Sequence, residues 1–206
     1  EVKKAGATPT SVAKFTNFTV NLGDETAGLG TDDDIFYMGS AKVKSSSTSA
    51  APTAGTPVVT QGNVTEIGVN YIADNVQVNT GRGNDSVVYG GAIIDATTKL
   101  TATEIKNTKS NLGTGSDSVA FNQVQAIGAG NVVDLGFDTD VDTINFVNYS
   151  GSSNTGDNKF GATSLVTINN FGVNDVLVLG GVTKTGKADA QAYINSQGLS
   201  SNIVIT

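Results

Sequence analysis

The chain has 206 residues, with 12 basic and 19 acidic side chains, a formal charge of −7, and neither cysteine nor histidine. That balance opposes binding to nucleic acid or to anionic lipid, and the two missing residue types exclude thiol catalysis, a Ser–His dyad and ordinary zinc sites. Apolar residues make up 38% and aromatics 6%, with 25 glycines and three prolines; they fall in short β-branched runs that favour sheet over helix bundles.

Glu1 in place of an initiating methionine predicts a processed piece of a longer chain, read as one domain over 1–206 with a capping portion over 160–206. The first structured stretch is VNLGDETAGLGTDDDIFY (20–37), a glycine-rich turn from Asn21 to Asp32 and Asp33, then an apolar strand. SSSTSAAPTAGT (45–56) follows, a low-complexity stretch predicted to be an exposed loop. VNTGRGNDSVVY (78–89) repeats the first pattern in compact form. Asn79, Gly81, Gly83 and Asp85 lead into a strand at 85–89. TATE (101–104) has the form of a capping box, with Thr101 as N-cap and Glu104 at N3, and predicts a helix to about Lys109. SNLGTGSDSVAF (110–121) then matches 78–89 almost position for position, with Asn111, Gly113, Gly115 and Asp117.

A further copy, VDLGFDTDVDTINF (133–146), carries Asp134, Gly136, Asp138, Asp140 and Asp142, and a degenerate one, NNFGVNDVLVL (169–179), keeps Asp175 before its strand. KADAQAYINSQG (187–198) predicts a helix stopped at Gly198, and SNIVIT (201–206) a closing strand. In each copy Asp-x-Val/Ile-x-Phe/Tyr has period two, so Val87 and Tyr89, Val119 and Phe121, and Ile144 and Phe146 each share one face. Units of one strand and one turn cannot bury that face alone, so they stack. The predicted architecture is mainly β: a parallel solenoid with its turns in a column, unequal insertions and one or two short helices.

The turns themselves suggest chemistry. Glycine frees backbone carbonyls to point where side chains would obstruct, and the carboxylates add hard oxygen ligands. Calcium takes six to eight such ligands at roughly 2.3–2.6 Å, more than one turn holds but within reach of two stacked turns. Carboxylates as close as those from Asp134 to Asp142 repel one another without a cation. The competing reading is plain turn chemistry, since Asn and Asp form Asx-turns and tolerate left-handed backbone. A nucleotide loop at Gly81-x-Gly83 lacks the following Lys-Ser/Thr helix. Paired catalytic carboxylates need contrasting environments in one cleft, whereas these acids recur along the chain. Tyr37, Tyr89, Phe121 and Phe146 could stack on sugars but sit where core packing is expected. The sequons at Asn17, Asn63 and Asn148 are read as carrying no modification in a bacterial protein.

TGRGNDSVV (80–88) and LGTGSDSVA (112–120) resemble the nonapeptide G-G-x-G-x-D-x-U-x of RTX (hemolysin-type) calcium-binding β-rolls, departing from it at Thr80 and Leu112. The stretch at 168–179 is similar to the strand that ends such modules. The resemblance implies a right-handed parallel roll with Ca2+ between successive turns, secreted by a type I system to the bacterial cell surface. The expected ligands are Asn21, Asp32, Asp33, Asn79, Gly81, Gly83, Asp85, Asn111, Gly113, Gly115, Asp117, Asp134, Gly136, Asp138, Asp140, Asp142 and Asp175. The expected role is a non-enzymatic, calcium-stabilised segment of a surface-layer protein that self-associates or meets a surface glycan, with no nucleic acid and no membrane insertion. Two alternatives remain open: an adhesin or biofilm-matrix module, and the non-catalytic roll of a secreted polysaccharide-modifying enzyme or protease.

Overall fold

A computed structural model describes residues 12–22, 33–40, 70–91, 104–122, 124, 126–147 and 160–206. The loop expected at 45–56 and Asp32 lie outside the described residues. The strands are β1 (Val12–Asn21), β2 (Ile35–Ser40), β3 (Asn70–Arg82), β4 (Ser86–Gly91), β5 (Glu104–Lys106), β6 (Lys109–Thr114), β7 (Ser118–Asn122), β8 (Asn131–Asp134), β9 (Thr143–Val147), β10 (Val166–Asn169), β11 (Val176–Leu179) and β12 (Val182–Thr185). A single helix, α1 (Lys187–Ser196), and a last strand, β13 (Ile203–Ile205), complete the described elements.

The strands fall in two sheets and alternate between them along the chain, except that β5 and β6 share one sheet and β11 and β12 the other. One has the order β1-β3-β6-β8-β10-β13, with β5 beside β3; the other has β12-β11-β9-β7-β4-β2. Every pairing is parallel except β11 with β12. The mainly β, parallel character expected from the repeats is therefore present.

Period two explains the core between the sheets. Val87, Tyr89, Val119, Phe121, Ile144, Phe146, Leu177 and Leu179 are buried, while the residues between them are half-exposed. Tyr89, Phe121 and Phe146 are in register on adjacent passes, and with Phe36 at one end and Phe160 at the other the rings form a file with centroids 5.0–6.2 Å apart. Each such pair adds roughly 0.5–1.5 kcal/mol beyond its buried area. Tyr89, Phe121 and Phe146 are thus core residues, as expected; the Tyr37 side chain is outside the description.

Two expectations need correction. The capping box does not open a helix: Glu104–Lys106 is β5, and Lys109 begins β6. Ile105 is fully buried, its N–H donates to the Ala126 carbonyl at 3.0 Å, and Asn107 turns left-handed at φ 51°, which an α-helix excludes. The first copy is also shifted by one residue. Ile35 pairs with Ser86 and Met38 with Tyr89, so Asp34, not Asp33, occupies the position of Asp85.

At the other end the expected helix forms, with Ala190 and Ile194 buried one turn apart, and Gly198 at φ 70° follows it. Ala188 and Ala192 are exposed. β13 closes one sheet against β10, and antiparallel β12 closes the other.

Candidate metal centre

The turns between the two sheets stack on one edge, and the strand-entry aspartates form a one-way ladder. The Asp34 N–H donates to Asp85 Oδ1 at 2.7 Å, Asp85 N–H to Asp117 Oδ1 at 2.7 Å, Asp117 N–H to Asp142 Oδ1 at 2.8 Å, and Asp142 N–H to Asp175 Oδ1 at 3.1 Å. The ladder ends locally, because Asp175 Oδ2 accepts from Gly172 N–H at 2.6 Å within its own turn. Asp85, Asp117, Asp142 and Asp175 are all buried.

Burial is costly for these charges. The Asp117 carboxyl is pushed up to about 8, first by desolvation and then by Asp142, Asp85 and Asp138, against the backbone hydrogen bond that favours its charge. Asp142 is pushed up to about 7 by desolvation and by Asp175, Asp138 and Asp140. Asp117 Oδ2 is buried and accepts no hydrogen bond. A neutral carboxyl or a bound cation would each relieve the arrangement.

The glycines stack for a reason the sequence did not disclose. A Cβ at Gly113 would lie 1.7 Å from the Gly81 carbonyl oxygen, one at Gly136 would lie 1.7 Å from that of Gly113, and one at Gly115 would lie 1.8 Å from that of Gly83. Backbone-to-backbone contact between passes requires glycine here, whether or not an ion is present. The departures from the nonapeptide also have causes. Leu112 is fully buried in the core, and the buried Thr80 hydroxyl donates to the Leu112 carbonyl at 2.5 Å.

Asn21, Asn79, Asn111 and Asp134 are brought into register on the first sheet, but largely for one another. Asn79 Nδ2 donates to Asn21 Oδ1, Asn111 Nδ2 to Asn79 Oδ1 at 2.6 Å, and Asn170 Nδ2 to Asp134 Oδ1 at 2.6 Å. Asp33 Oδ1 accepts from Asn84 N–H at 2.8 Å, Asn84 Oδ1 from Ser116 N–H at 2.9 Å, and Asp138 Oδ2 from Gly115 N–H at 3.1 Å. These polar side chains hold adjacent turns together.

A second column was missed. Asn17, Asn75 and Asn107 are left-handed at φ 56°, 56° and 51°, with Gly130 at φ 74° beneath them. They form a corner in the first sheet, where the register skips Asn17 and Asn75. The signal was a second spacing: Asn17-x-x-x-Asn21, Asn75-x-x-x-Asn79, Asn107-x-x-x-Asn111 and Gly130-x-x-x-Asp134.

The turns differ in how much room they leave. Between the turn at 136–142 and the turn at 170–175 lies an open gap of about 240 Å3, lined by Asp138, Asp140, Asp142, Asp175, Asn170 and Asn174 among others. Asp138 Oδ1 accepts from the Asp140 N–H at 2.9 Å, and Asp142 Oδ1 from the Asp117 N–H at 2.8 Å. Among the described residues no three Asp, Glu, His or Cys side chains converge in a ready-made metal cluster. An ion in this gap would draw much of its shell from carbonyl, amide and water oxygens, as calcium does. In comparisons with known proteins, no family model, no curated sequence and no solved structure matches the chain.

Proposed function

We propose that this chain is a calcium-stabilised structural segment of a bacterial surface-layer or other cell-surface protein. In this reading it is wound as a right-handed parallel β-roll and takes up Ca2+ between its acidic turns. The observation that supports it most is the buried, in-register aspartate ladder ending beside the gap lined by Asp138, Asp140, Asp142 and Asp175. Periodic acids that share one environment suit cation binding better than acid–base catalysis, which needs contrasting pKa values within one cleft. The role is therefore structural, and the ion offsets the repulsion that the ladder builds up.

Calcium bound by the native turns and not by the unfolded chain adds about 2.7 kcal/mol per site at a hundred times Kd. One or two sites would raise the melting temperature on the order of ten degrees for a chain of this size. Thermal unfolding of the chelated protein, repeated with calcium restored, tests this. Superimposed melting curves would remove the calcium reading.

A further inference from the structure

We infer that the two ends of the stack form a head-to-tail interface between copies of this chain, in which the β1 and β2 end of one copy docks on the α1 end of the next. Among the described residues the core is closed at one end and open at the other. On the last passes Leu177 and Ile203 are fully buried, and α1 adds Ala190 and Ile194 to the same core. At the opposite end Phe15 pairs with the fully buried Ala73 yet is 42% exposed. Phe18 and Phe36 pair with the fully buried Val76 and Val87 and are themselves only half-buried. A stacked fold needs a polar outer face at each terminus to stay single, and these rings present core surface instead. Four of the seven exposed large apolar residues, Phe15, Ile35, Val182 and Val204, lie on the four strands that end the two sheets.

Charge identifies the occupant as a second copy. The column of turns is also linked through its backbone: Ser86 N–H donates to the Asp34 carbonyl, and the same bond recurs pass by pass until Gly186 N–H meets the Asp175 carbonyl, each at 2.8 Å. Asp33 and Asp34 therefore mark one end of the column. Gly186 marks the other, where it starts α1 without a side-chain cap, and Lys187 follows it. A helix N-terminus carries N–H groups with no intrahelical acceptor and a partial positive charge, and it favours carboxylates. One more step along the column sets Asp33 and Asp34 of the next copy against that helix start. The asparagine column has the same sense. Asn79 Nδ2 donates to Asn21 Oδ1, which leaves Asn21 as the next donor, while at the far end Thr206 Oγ1 donates to Asn169 Oδ1 at 2.9 Å and offers its lone pairs.

Shape and size agree. Ala188 and Ala192, one turn apart on the exposed face of α1, leave that face low enough for rings to approach closely. A ten-residue strand such as β1 is about 33 Å long, and two packed sheets with their outer side chains are about 20 Å across. Each end thus offers on the order of 600 Å2, and a pair of ends exceeds the roughly 1,000 Å2 that a specific interface needs. Two different surfaces meet, so the contact does not close on itself and copies add into a filament.

Sedimentation velocity of the full chain over a concentration series, in calcium and in chelator, tests the interface separately from the calcium reading. The expected result, in either condition, is stepwise growth past the dimer. Phe15→Ser and Ala188→Arg each disable one end and should each weaken association by about tenfold or more. Mixed in equal amounts they should stop at a single heterodimer, since each supplies the end that the other lacks. Asp33→Lys and Lys187→Glu, both at exposed positions, keep the test decisive if Phe15→Ser does not fold. Each alone should weaken association about tenfold, and mixing the two should restore growth because unlike charges meet again at every contact. A parent chain that stays monomeric in both conditions overturns the inference. A dimer that Phe15→Ser abolishes and Ala188→Arg leaves intact also overturns it, by joining two β1 ends, and so does a charge-swapped mixture that fails to grow.

Discussion

At the scale of single residues, the strand-entry aspartates carry two opposed demands: Oδ1 holds the neighbouring pass, while the charge is buried. Asp117→Asn separates them, because the amide oxygen still accepts the Asp85 N–H while the charge disappears. The metal-free variant should melt above the parent at alkaline pH, and its calcium affinity in calorimetric titration should fall by about tenfold or more. Asp189→Ala, in the first turn of α1, should leave calcium affinity unchanged and cost only about 0.3–1 kcal/mol of helix-dipole stabilisation. Equal effects of the two on calcium affinity would sink the assignment of the turns.

The same groups set the pH dependence. Asp117 and Asp142 have folded-state values of about 8 and about 7, above the ordinary 3.8, so their contribution is complete below that ordinary value and is lost as pH rises through both shifted values. Melts of the chelated protein should therefore fall between about pH 4 and about pH 8, and calcium should flatten the fall by replacing the proton. A chelated protein that grows more stable across that window contradicts the buried ladder.

At the scale of elements, the turns tie one pass to the next through backbone contact. Gly113 and Gly181 are both left-handed, at φ 99° and 79°, but a Cβ at Gly113 meets the Gly81 carbonyl oxygen at 1.7 Å, whereas at Gly181 nothing lies within 4 Å. Gly181→Ala should cost about 1–2 kcal/mol of conformational strain alone. Gly113→Ala should cost at least about twice that, since β3 and β6 must move apart. Denaturant melts of the two variants give the comparison, and equal losses would mean that the passes do not stack as closely as described.

At the scale of the whole molecule, each pass leans on the one that follows it. Each carboxylate of the ladder serves the N–H of the pass before it, and the last, Asp175, is satisfied within its own turn. The C-terminal elements therefore underpin the rest: β13 and β12 end the two sheets, and Ile194 of α1 is fully buried in the common core. Ile194→Ala should cost about 2–5 kcal/mol and lower the unfolding midpoint of the entire chain in one transition. A separate early transition confined to the tail would show that the C-terminal portion folds independently.

The sequence by itself determined the repeating unit, the parallel character and the positions of Asp85, Asp117, Asp142 and Asp175, because Asp-x-apolar-x-aromatic is a local pattern whose period of two fixes what faces inward. It also determined α1, where Ala190 and Ile194 lie one turn apart and Gly198 follows. It left the register at 32–34 ambiguous, since three consecutive aspartates offer equivalent starts and a slip of one exchanges the faces. Only the pairing of Ile35 with Ser86 decided for Asp34. The capping box misled for a related reason: a cap is worth about 1 kcal/mol, and it yielded to the burial of Ile105 and its bonds to residues 126 and 128. The uses of Asn21, Asn79 and Asn111, the glycine-on-glycine contacts and the gap between the last two acidic turns depend on which passes become neighbours. Insertions of unequal length hide that adjacency from any local reading, so tertiary structure alone decided it.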